Sequence, residues 1–175
     1  MKNNVIAVAM AAAAILSGAN AFAEAGQVNF TGEIIDTGCD VVNNMSNPLI
    51  VDLKKVNKSE FKNIGATAAA TDFIIKLTNC PAIAQTASIS FDGQALNNDP
   101  SILQLTQESG VATGVGIQLS DVIAVLPLRQ PSVAYSLVSG SEENNLRFTA
   151  RYKSVAADVN PGPANSTATF SVLYN

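Results

Sequence analysis

The chain has 175 residues, 10 basic against 14 acidic, and no histidine. A net charge of −4 without a basic patch argues against nucleic acid or an anionic membrane surface as a partner. The missing imidazole removes the commonest general base and zinc ligand, and with them any Ser-His-Asp or Cys-His nucleophile.

The first residues read as an export signal. Lys2 precedes the unbroken apolar run Val5 to Leu16, and small residues at Ala21 and Ala23 flank Phe22. This is the three-part plan of a signal peptide, residues 1–23, with cleavage after Ala23 or, alternatively, after Ala21. The run is too short to span a bilayer, which takes about 20 residues, so no direct membrane insertion is expected. The mature chain, Glu24 to Asn175, has 152 residues and keeps nine basic against 14 acidic groups, a net charge of −5. That length suits one domain with a real core.

The rest alternates with period two. "QVNFTGEII" puts Val28, Phe30, Gly32 and Ile34 on one face. "NPLIVDL" reads as a short strand, and "SEFKNIGATAAATD" as no more than a helical turn before Gly65. "TDFIIKLTNC" carries Phe73, Ile75 and Leu77, and "TASISFDG" carries Ala87, Ile89 and Phe91 before a turn at Asp92-Gly93. "GVGIQLSD" offers Val115, Ile117 and Leu119, and "NNLRFTARYKS" offers Leu146, Phe148, Ala150 and Tyr152. The last strand presents Ala168, Phe170, Val172 and Tyr174. Short alternating runs divided by Gly, Asn, Asp and Pro predict an all-β, antiparallel sandwich.

Little in this pattern carries catalysis or a cofactor. Cys39 and Cys80 are an even pair in an exported chain, which most simply means one disulfide. It closes a 42-residue loop, worth about 4 kcal/mol in the chain-entropy picture. No phosphate-binding glycine loop is present. A pair of carboxylates could hydrolyse glycosides, but scattered acids on a sandwich are expected for solubility alone. No enzyme activity, cofactor or metal site is expected.

Five stretches in order give the chain a family resemblance: "VNFTGEIIDTGCDV", "FIIKLTNC", "GVGIQLSD", "NNLRFTARY" and "PGPANSTATFSVLYN". In the last, Gly162 stands fourteenth from the end and Tyr174 is penultimate. Together they resemble the subunits of bacterial chaperone–usher pili, the type 1 fimbrial family. The resemblance implies an incomplete immunoglobulin-like sandwich of six strands, lacking the seventh. It divides the chain into the signal peptide, a donor-strand extension over 24–33 and a pilin domain over 34–175.

The resemblance further implies that a periplasmic chaperone lends the missing strand. At an outer-membrane usher, the extension of another pilus subunit replaces it, a form of strand addition. The donor residues are then Val28, Phe30, Gly32 and Ile34. The acceptor groove and chaperone-binding strand comprise Gly162, Ala168, Phe170, Val172, Tyr174 and Asn175, with the Asn175 carboxylate as anchor. The chain is expected in the periplasm and then on the cell surface, in a fimbria that supports adhesion. Two features depart from the family pattern. Only "EAGQ" precedes Val28, shorter than is typical of a major shaft subunit, which leaves shaft, adaptor and terminator roles open. Lys54 stands where the family commonly has glycine. The alternative reading is a self-complete secreted sandwich that binds a glycan.

Overall fold

Alternation becomes a strand only when a neighbour satisfies its backbone groups. The computed structural model describes residues 27–32 and 38–175. The chain divides into two units, Met1–Ile34 and Ile35–Asn175. In the first, residues 27–32 are in neither helix nor strand, with Val28 74% and Phe30 92% exposed. The alternation there does not by itself make a strand, and Ile34 lies outside the described residues.

The second unit is built from β1 (Asp40–Val41), β2 (Thr67–Thr78), β3 (Thr86–Asp92), β4 (Ala95–Leu96), β5 (Asp99–Leu103), β6 (Val115–Ser120), β7 (Tyr135–Ser136), β8 (Asn144–Ser154) and β9 (Thr169–Tyr174). Three of the nine, β1, β4 and β7, are two-residue pairings; the other six are the substantial strands. They form two antiparallel sheets, ordered β1-β2-β8-β6-β5-β4 and β7-β3-β9. Asn97 and Asn98 join β4 to β5 with φ of 52° and 62°, the left-handed pair that a two-residue hairpin turn requires. Among the described residues one 3-10 turn, Lys58–Glu60, is the helical turn expected before Gly65.

The core lies between the sheets. Ile75, Leu77, Ile117, Leu119, Leu146, Phe148 and Ala150 come from the larger sheet, and Ala87, Ile89 and Phe91 from the smaller. Phe91 meets Phe148 edge to face, with ring centroids 5.2 Å apart, and Phe73 closes on both. The disulfide Cys39–Cys80 ties the approach to β1 to the end of β2.

One expected strand is absent. "NPLIVDL" is irregular, and Ile50 is exposed. Its path is set by a side chain: Asp52 accepts from the Lys54 N–H at 2.8 Å and pairs with the Lys54 ammonium. Lys54 takes φ 62°. An aspartate turn thus holds a lysine in a left-handed backbone that glycine adopts more readily.

Candidate functional site

Of the six longer strands, the last is the one with no buried residue. From Ala164 to Tyr174, every second residue is half-buried and the residues between are exposed. Facing strand β3 shows what full cover looks like, since Ala87, Ile89 and Phe91 are all buried. Phe170, Val172 and Tyr174 stand opposite Phe91, Ile89 and Ala87. They pack on the core without being closed in. Phe170 reaches Phe91 edge to face, centroids 6.3 Å apart.

The backbone of β9 is open on the same side. Asn175 and Thr86 exchange both hydrogen bonds: the Asn175 N–H donates to Thr86 O at 3.0 Å, and the Thr86 N–H donates to Asn175 O at 2.9 Å. Such pairs recur every second residue in an antiparallel ladder. Leu173, Ser171 and Thr169 therefore turn their backbone groups towards Ser88, Ser90 and Asp92. Phe170, Val172 and Tyr174 turn theirs away. The partner strand agrees, because Ile89 and Phe91 spend their carbonyls on the far side, accepting from the Ser132 N–H at 2.8 Å and the Arg129 N–H at 2.7 Å. Strand β9 is last in its sheet. Among the described residues, the N–H and C=O groups of Phe170, Val172 and Tyr174 thus form an unpaired edge, a ready template for another strand.

Tyr174 is docked within its own chain. Its hydroxyl accepts from the Cys39 N–H at 3.0 Å and donates to Cys39 O at 3.3 Å. Its ring lies so close to Gly38 that a Cβ there would come within 2.6 Å of it. Burial raises the Tyr174 pKa above its ordinary value, the Cys39 hydrogen bond works against this, and Asp40 adds to it. Sequence reasoning marks Tyr174 but not this partner; only the glycine before Cys39 hints at it. The Asn175 oxygen expected to anchor a chaperone also accepts from the Gln85 N–H at 3.1 Å.

The remaining predicted residues fall in two places. Ala168 directly precedes β9 and packs against the core. Gly162 is further away, in the loop before the strand, where its backbone crosses residues 110–112. A Cβ there would meet backbone at 2.0 Å from Gly110 O and 2.6 Å from Ala112 N. That close crossing, rather than the β9 edge, is what demands glycine at this position. In the other unit Gly32 has, among the described residues, nothing within 4 Å of a Cβ and no left-handed φ. Val28 and Phe30 are the exposed apolar residues beside it.

Known proteins share this architecture. The fimbrial protein family model matches residues 28–175. The chain is 39% identical over 156 residues to the type 1 fimbrial subunit of Salmonella typhimurium, covering 85% of this chain and 82% of that one. It is 32% identical to the type-1 fimbrial protein A chain of Escherichia coli, covering 99% and 100%. The P pilus rod subunit PapA superposes with a TM-score of 0.64 at 25% identity, over 79% of this chain and 100% of that one. A chain from the structure of a chaperone–usher pilus gives a TM-score of 0.64 at 26% identity, over 86% and 95%. With an immunoglobulin-like sandwich open along its last strand and these relatives across nearly its full length, the chain belongs to the fimbrial protein family as a structural subunit.

Proposed function

We propose that this subunit polymerises by strand donation. The signal peptide 1–23 sends the chain to the periplasm. There a chaperone strand covers the β9 edge, and at an outer-membrane usher the extension 24–33 of another subunit replaces it. The donor face is Val28, Phe30, Gly32 and Ile34; the acceptor is the β9 edge from Ala168 to Asn175. Each subunit gives one strand and accepts one, so the contact is heterologous and grows an open filament. The work of the chain is mechanical and adhesive rather than catalytic.

The observation that carries this reading is the coincidence on β9 of half-buried side chains and free backbone groups at the same three residues. Gly32 supports it from the other unit. Nothing among the described residues, and no unusual φ, requires glycine there; close approach to a partner backbone supplies a reason. Burying Val28, Phe30 and Ile34 contributes roughly 1.5–3 kcal/mol each as an upper bound, against a whole-domain stability of about 5–15 kcal/mol. An empty subunit is therefore marginal and a filled one durable. A self-complete glycan-binding sandwich does not explain why β9 is left half-covered.

The test is deletion of Glu24–Gly32 in cells that assemble the native chain. The truncated subunit should fold, be captured by its chaperone and fail to donate, so fibres stop at it. If the truncated chain is degraded although the chaperone is present, the segment is an internal strand and this reading fails.

A further inference from the structure

We infer that the Tyr174 hydroxyl is a tension latch, passing load from the root of the subunit's own extension straight to the end of β9. The inference rests on the strand-donation reading and adds how a subunit inside the fibre bears force.

In a fibre held by donated strands, each subunit is pulled at two places. One is the start of its folded unit, because the extension 24–33 precedes Gly38 in the chain. The other is β9, which grips the strand it has accepted. These places belong to different sheets. Cys39 leads into β1 of the larger sheet, and the disulfide ties it to Cys80 just beyond β2. Strand β9 lies in the smaller sheet, where its neighbour is β3. Among the described residues, no named strand of one sheet pairs with a named strand of the other. Without a direct link, load entering at Cys39 has to cross the core by side-chain packing or run round through connecting loops.

Tyr174 supplies that link. It is the last residue of β9. Its hydroxyl accepts from the Cys39 N–H at 3.0 Å and donates to Cys39 O at 3.3 Å. Both bonds fall on one backbone residue, so a pull on Cys39 loads them together instead of one after the other. The ring lies over Gly38, where a Cβ would come within 2.6 Å of it, so the same side chain also seats the residue before the disulfide. The strand end of the link is anchored in turn. Asn175 exchanges hydrogen bonds of 2.9 and 3.0 Å with Thr86 and accepts a third from the Gln85 N–H at 3.1 Å. On the other side, Cys80 exchanges bonds of 2.8 and 3.1 Å with Gly140. The root, the disulfide and the end of β9 form one short knot of covalent and hydrogen bonds, and tension crosses it before reaching the core.

The test is force-ramp stretching of single fibres shed from cells that express full-length chains. In Tyr174→Phe fibres, subunits should unfold about five-fold more often at a given load than in native fibres, the factor that accompanies one lost buried hydrogen bond. Gly38→Ala pushes the ring from its seat and should have the same direction of effect; it carries the test if Tyr174→Phe assembles poorly. Ile102→Ala is the control for stability alone. Ile102 is buried in β5, at the other side of the larger sheet from β1. Its substitution should lower the thermal midpoint and leave the unfolding load unchanged. Native unfolding loads in both Tyr174→Phe and Gly38→Ala fibres would show that the core carries the tension and overturn the latch. Unfolding loads that fall in all three variants in proportion to their thermal losses would overturn it too, because overall stability then sets the load. Assembly that survives deletion of Glu24–Gly32 would instead sink strand donation itself, whatever the loads.

Discussion

Replacing Tyr174 by Phe separates the hydroxyl from the ring at the end of β9. The hydroxyl satisfies the N–H of buried Cys39 at 3.0 Å. Removing it leaves that donor unpaired, a loss of about 1–3 kcal/mol for a fully buried group. Tyr174 is half-buried, so water reaches part of the site and the lower end, about 1 kcal/mol, is expected. Tyr174→Ala also removes the ring from Gly38 and the core. A fully buried large side chain is worth about 1.5–3 kcal/mol, and half burial gives roughly half of that, for a total near 2 kcal/mol. Urea unfolding of the oxidised chain is the assay. With a slope of about 1–3 kcal/mol per molar urea, the Phe variant should lower the midpoint by roughly 0.3–1 M, and the Ala variant by about twice as much. An unchanged midpoint in Tyr174→Phe would refute the latch between the strand and the disulfide. Equal losses in the two variants would show that the ring contributes nothing.

Gly162→Ala should destabilise by about 1–3 kcal/mol, because its Cβ meets backbone that cannot step aside; a thermal midpoint equal to that of the native chain would disprove the crossing. Lys54→Gly should be neutral or slightly stabilising. It relieves a left-handed lysine, about 1–2 kcal/mol, while it frees the unfolded chain by about 0.5–1 kcal/mol and loses an exposed ion pair worth about 0–1 kcal/mol. Lys54→Val should be clearly destabilising, and similar effects from the two would contradict the turn assignment. Burial raises the pKa of Tyr135, Tyr152 and Tyr174 above the usual 10. The unfolded phenols therefore ionise first, so the stability they contribute is full below pH 10 and is lost as pH rises through the folded values. Unfolding midpoints measured through alkaline pH should fall, and a rise would refute this.

Five of the six substantial strands were legible because each carries its own alternation. In β8, Leu146, Phe148 and Ala150 are buried and Arg147 is exposed, as period two requires. Strand β5 was not legible, since Pro100 inside it argues against pairing and the hairpin depends on Asn97 and Asn98 both turning left-handed. "NPLIVDL" misled in the other direction: its apolar run suggests a strand, but the turn made by Asp52 sets its path. At the candidate site, alternation located Phe170, Val172 and Tyr174. It could not show that their backbone groups point away from β3, which follows from the Thr86–Asn175 pairing. Nor could spacing within the last strand reveal that the tyrosine hydroxyl is held by Cys39, a residue 135 positions earlier.

Amide hydrogen exchange at β9 tests the central claim most directly. In the monomeric chain the N–H groups of Ser171 and Leu173, bonded to β3, should exchange slowly, and those of Phe170, Val172 and Tyr174 should exchange quickly. In assembled fibres all five should be protected, because the donated strand accepts from the open three. Slow exchange at Phe170, Val172 and Tyr174 in the monomer would show that the edge is already filled. Fast exchange at the same three in the fibre would show that assembly leaves it empty, and either result would contradict strand donation.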